Sequence, residues 1–141
     1  MPKPLLHLFA TLALCLSTAL PALAKDSGPG RPMNASEFEA YVEGRTLTFA
    51  FEGQAYGIEE YLPGRRVRWA FVGDQCTEGT WYQLEDMICF DYIDNPESQC
   101  WHFYQTERGL RGVFVGESAT ELYEVRDMNQ SLICPGPDVG V

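Results

Sequence analysis

After Gly44 the chain alternates apolar and polar residues in short, closely punctuated runs, and that pattern leaves room for one class of fold. In the run 45–51, Leu47, Phe49 and Phe51 share one face, while Thr46, Thr48 and Ala50 share the other. The run 65–72 repeats the pattern, with Val67, Trp69 and Phe71 set against Arg66, Arg68 and Ala70. Further runs follow at 55–62, 77–84, 87–93, 99–105, 110–115 and 120–126. Turn formers separate them: Gly53, Pro63-Gly64, Gly73-Asp74-Gln75, Glu85-Asp86, Asp94 to Ser98, and Glu107-Arg108-Gly109. These links are too short for helical crossovers, so neighbouring strands must run antiparallel. Eight strands with one apolar face either close on themselves or split into a sandwich. The up-and-down order favours an all-β, antiparallel, eight-stranded closed barrel.

One short N-terminal helix should precede it. Ser36 with Glu39 makes a capping box, and Gly44 closes a helix over 37–43. Phe38, Tyr41 and Val42 then form one apolar stripe that plugs or flanks an end of the barrel. Residues 25–35, with their Gly and Pro, read as a flexible leader. Residues 36–141 are enough for one barrel domain and too few for two cores.

Residues 1–24 have the grammar of a signal peptide: Lys3, the apolar run 5–20, and Ala22-Leu23-Ala24 as cleavage site. The run is short for a membrane span, so no stable membrane insertion is expected after cleavage. Cys15 follows the bulky Leu14, where lipidation would want a small residue, and it belongs to the apolar run. The expected compartment is periplasmic or extracellular. Acidic residues outnumber basic ones twenty to ten, and cleavage would remove Lys3 but no acid. Such a charge argues against nucleic acid and anionic lipid as partners.

Cys76, Cys89, Cys100 and Cys134 lie beyond the leader, an even number that reads as two disulfides. Three pairings are open. Cys89–Cys100 is favoured because both lie in β-like runs flanking the 94–98 turn, which leaves Cys76–Cys134 to pin the C-terminal tail. Zinc is the rival use, but spacings of 13, 11 and 34 residues match no knuckle. A redox motif would need CxxC, which is absent. No metal or cofactor is therefore expected.

Gly44-Arg45-Thr46-Leu47, Tyr61 before Pro-Gly, Gly79-Thr80-Trp81, Cys89-Phe90-x-Tyr92 and Cys100-Trp101 follow in that order after the short helix. The chain thereby resembles small exported bacterial proteins of uncharacterised function with a lipocalin-like β-barrel. The likeness covers residues 35–105 and implies a fold and a compartment, but no catalytic residue. Cys76 and Cys134 depart from the usual pattern and imply an added bond.

Among residues that carry chemistry, His102 is the one histidine beyond the leader. Alternation puts it on the face opposite Trp101 and Phe103, a surface histidine beside a disulfide. No nucleophile elbow accompanies it. Asp91, Asp94, Asn95 and Glu97 form an oxygen-rich turn without the order of a calcium loop. Glu59, Glu60, Glu78, Glu85 and Asp86 supply carboxylates, but nothing in the pattern marks one as buried, as acid catalysis requires. Arg66 and Arg68 should project outward, either as an anion contact or as partners for Glu59 or Glu60. The aromatics Phe49, Trp69, Phe71, Trp81, Phe90 and Trp101 either fill the barrel or line a pocket inside it.

No catalytic set emerges. The expected function is a non-enzymatic binding module for a small apolar ligand or a protein partner. The alternative is an inhibitor whose acidic surface docks on a basic enzyme such as a lysozyme.

Overall fold

Eight strands close into one antiparallel barrel in chain order. They are β1 (Thr46–Phe51), β2 (Gln54–Leu62), β3 (Arg66–Phe71), β4 (Thr77–Leu84), β5 (Met87–Tyr92), β6 (Gln99–Thr106), β7 (Gly109–Phe114) and β8 (Glu121–Glu124). The computed structural model describes residues 30–118, 120–127 and 131–134, so the expected signal peptide lies outside the described residues. Phe49 opposite Glu124 and Ala50 opposite Tyr123 join β1 to β8, and this closure leaves no open sheet edge. The all-β architecture expected from the alternation is the one the chain adopts.

The helix α1 (Ala35–Val42) starts earlier than the Ser36 box suggests. Two boxes overlap here, Asn34-x-x-Glu37 and Ser36-x-x-Glu39, and the first one forms. The Asn34 side chain accepts from the Glu37 backbone N–H, and the Glu37 carboxylate accepts from the Asn34 N–H. This choice puts Met33 just before the cap, where it is buried in the same core cluster as Phe38, as in a hydrophobic staple. The Met33 N–H also donates to the Phe103 carbonyl at 2.7 Å. Residues 33–35, inside the stretch assigned to the leader, thus belong to the packed structure, anchored by the buried Met33. Glu39, left out of the cap, accepts from Arg65 instead.

The helix plugs one end of the barrel. Phe38 is fully buried, with ring centroids 4.7 Å from Phe103, 5.1 Å from Trp81 and 5.8 Å from Tyr61. Glu124, inward on β8, clamps this end. Its carboxylate accepts from the Tyr41 hydroxyl at 2.6 Å, the Leu110 N–H at 2.8 Å and Arg45 at 3.1 Å. Gly44 ends the helix at φ 74°, and its N–H donates to the Tyr61 carbonyl. The left-handed turn there suits a residue without Cβ.

Both cysteine pairs form as expected. Cys89 and Cys100 face each other directly across β5 and β6, with Cα atoms 4.0 Å apart. Cys76 and Cys134, 58 residues apart, tie the tail to the start of β4. Two disulfides fit an oxidising compartment. Among the described residues no helix is long and apolar enough to cross a membrane.

Candidate functional site

The end of the barrel away from the helix holds a cavity of about 250 Å³. Strand parity decides what lines it. Registry places Glu59 opposite Trp69 and Trp69 opposite Thr77, so these three share one level of the inner wall on β2, β3 and β4. One step toward the mouth, Gly57 faces Phe71. Trp101 and Gln99 contribute from β6, Phe90 and Tyr92 from β5, and Phe49 from β1.

A bulge completes the wall. Phe49 pairs with Gly57 but Ala50 with Ala55, which leaves Tyr56 as the extra residue on β2. Alternation alone would send Tyr56 outward beside Ile58. Because a bulge re-aims its side chain, Tyr56 joins the lining instead.

Glycines make room for the rings. A Cβ on Gly57 would sit 2.3 Å from the Trp69 indole, so Trp69 lies flat across a position without a side chain. A Cβ on Gly79 would sit 2.9 Å from the Tyr92 ring and 2.5 Å from the Asp91 carbonyl oxygen. The rings fall into two groups. Tyr56, Trp69 and Phe71 form one, with centroids 5.2–6.1 Å apart. Phe90, Tyr92, Phe103 and Trp101 form the other, continuous with Phe38 in the plug.

Glu59 is the polar centre of the cavity. It is 4% exposed, and the Tyr92 hydroxyl donates to its Oε1 at 2.7 Å. The Tyr61 hydroxyl stands 3.5 Å from Oε2. Burial pushes the carboxyl up to about 8, against a smaller downward pull from the two tyrosines. Glu59 is thus mainly a neutral acid at pH 7. The same burial, with Glu59 nearby, holds both phenols well above their usual range, so they remain donors.

Other polar groups stand around the cavity. Thr77 Oγ1 is buried without a hydrogen-bond partner, while Asp94, Asn95 and Gln99 add acceptors and amides. No Lys, Arg or His is among the described lining residues. Exposed Phe71, Val72, Ile93 and Val115 sit at or just beyond the ends of β3, β5 and β7 on this side.

Five of the six aromatics singled out from sequence line the cavity: Phe49, Trp69, Phe71, Phe90 and Trp101. Trp81 does not. It faces inward at the plugged end, packs edge-on to Phe38 and lies under the Arg65 guanidinium at 4.7 Å. Arg66 and Arg68 do project outward. Arg68 donates to Glu60 at 2.7 Å, and Arg66 donates to the Pro63 carbonyl. The pairing considered for these arginines thus goes to Glu60 alone, because Glu59 points the other way. His102 faces outward, its Nε2 3.2 Å from Asp86. Asp91 accepts from Ser98, and Asn95 caps the Glu97 N–H, so that turn uses its oxygens locally.

From sequence, Glu59 is only one of five carboxylates with nothing to mark it as buried, and neither Tyr92 nor Tyr56 is among the six aromatics singled out for a pocket. Glu59 shares strand parity with Tyr61, and that was the available signal. Comparison with known proteins gives no match to any protein-family model, curated protein or solved structure.

Proposed function

We propose that this protein is an exported, non-catalytic binding module of lipocalin-like build, which takes up a small apolar molecule at its open end. The supporting observation is the cavity of about 250 Å³ walled by Trp69, Phe71, Phe90 and Trp101. Barrels of eight strands have room for side chains or one small ligand, and here the plugged half is filled while the open half is not. Mostly apolar walls with a few converging polar groups are what small-molecule sites share. The volume suits a single ring with a short side chain. Export to the periplasm or beyond rests on the grammar of residues 1–24 and agrees with the two disulfides.

Native mass spectrometry of protein recovered gently from an oxidising compartment tests this function. Wild type should retain a small adduct, or take up added phenylethanol, and a Trp69→Ala/Trp101→Ala variant should do neither. A clean mass with no uptake by wild type contradicts the proposal. The acidic outer surface, and a basic protein partner, would then be the place to look.

A further inference from the structure

Four carboxylates of the barrel wall and its plug are each held by an arginine. Arg45 serves Glu124, Arg65 serves Glu39, Arg68 serves Glu60 and Arg111 serves Glu121. Glu59 is buried as Glu124 is, and more so than the other three, yet its carboxyl is held by two phenol hydroxyls. A carboxyl kept in an apolar interior without a cation is costly, and a Gln or Leu would fill the space without that cost.

The surroundings suit a positive charge. Two aromatic groups flank the cavity, one led by Trp69 and the other by Trp101, and indole faces attract ammonium groups. Thr77 Oγ1, one strand beyond Trp69 at the level of Glu59, lacks a hydrogen-bond partner. An ammonium carries three donors and no acceptor, so unpaired oxygens are what it needs. Asp94 adds a second acid near the mouth, while no basic side chain is among the described lining residues.

We propose that the ligand of this cavity is a small organic ammonium ion, its ring held between the two aromatic groups and its nitrogen paired with the Glu59 carboxylate. This deepens the binding function proposed above and depends on it. The free protein holds Glu59 protonated at neutral pH, so an incoming ammonium must displace that proton to solvent. The ligand keeps its own charge, and one proton leaves for each ligand bound.

The groups facing Glu59 are few. Tyr92 approaches from β5 and Tyr61 lies beside it on β2, both held as neutral phenols. Glu124 and Arg45 act on Tyr61 from the plugged end, and Asp94 stands at the mouth. Glu59 is therefore the group whose titration binding should report.

Calorimetric titration with phenethylamine, phenylethanol and hydrocinnamate tests this. Phenethylamine should bind at least about tenfold more tightly than neutral phenylethanol at pH 8, and the anion should not bind. Its affinity should rise roughly fiftyfold from pH 6 to pH 8, as follows for one proton released from a group titrating at about 8. Glu59→Gln should abolish both the amine preference and the pH dependence. If phenylethanol matches the amine, or Glu59→Gln keeps the preference, the ammonium assignment is overturned while the cavity remains a binding site. If none of the probes binds, the binding function itself fails.

Discussion

The Tyr92 hydroxyl reaches the Glu59 carboxyl at 2.7 Å from β5 across the interior of the barrel to β2. It does so over Gly79 on β4, where any side chain would meet the Tyr92 ring. A buried acid, its hydrogen-bond donor and the glycine between them thus form one unit.

Stability should fall as pH rises through the neutral range. The Glu59 carboxyl titrates at about 8 when folded and near its ordinary value when unfolded. Between those limits the folded state holds a proton that the unfolded state has lost, so the contribution is full at acid pH and vanishes as pH passes about 8. Glu59 should make unfolding easier by about 1 kcal/mol for each pH unit in that window. Urea melts of wild type and Glu59→Gln from pH 5 to pH 9 should diverge, with the variant the more stable at the alkaline end. Parallel curves would mean that Glu59 is not buried as described.

Gly79→Ala should destabilise the barrel. The new Cβ would lie 2.5 Å from a backbone oxygen, which cannot swing aside as a side-chain tip can. Overpacking of this kind costs about 1–3 kcal/mol. Chemical denaturation measures it, and a change below a few tenths would show that the strand pair relaxes freely.

Gly57→Ala should act on binding as well. It would push Trp69 off its bed at the cavity wall. Phenylethanol uptake should drop more in this variant than in Gly79→Ala, as titration of both proteins would reveal.

Phe38→Ala should open the plugged end. Truncating a fully buried phenylalanine typically costs about 3–5 kcal/mol. Loss of the plug should also speed hydrogen exchange in β4 and β6, whose Trp81 and Phe103 pack on that ring. Unchanged exchange there would argue that the helix merely flanks the barrel.

Reducing both disulfides should lower the melting temperature sharply, with about 2–4 kcal/mol at stake for each bond. An unchanged temperature in strong reductant would contradict their structural role.

Much of this fold is legible in the chain itself. Period-two runs and turn formers mark the strands, and the 94–98 turn brings Cys89 opposite Cys100. The closed ring follows because strand order and hairpin links leave little else. Glu59 was harder to see. Two adjacent glutamates look like a solvated pair, and only the register of β2 against β3 sends one to Arg68 and the other inside. Tyr56 was hidden for a related reason, since a bulge breaks the parity on which its placement would rest. Trp81 shows the converse limit. Parity puts it inside, but which end of the barrel the helix fills is a tertiary matter, fixed by Phe38 and Met33.

The most direct test uses the three tryptophans as reporters in one spectrum. Indole N–H signals of the ¹⁵N-labelled protein are followed while phenethylamine or phenylethanol is added. Trp69 and Trp101 line the cavity, and Trp81 lies under the plug as an internal control. Shifts at Trp69 and Trp101 with Trp81 nearly still would place the ligand at the open end. No shifts, or shifts led by Trp81, would contradict a binding site there.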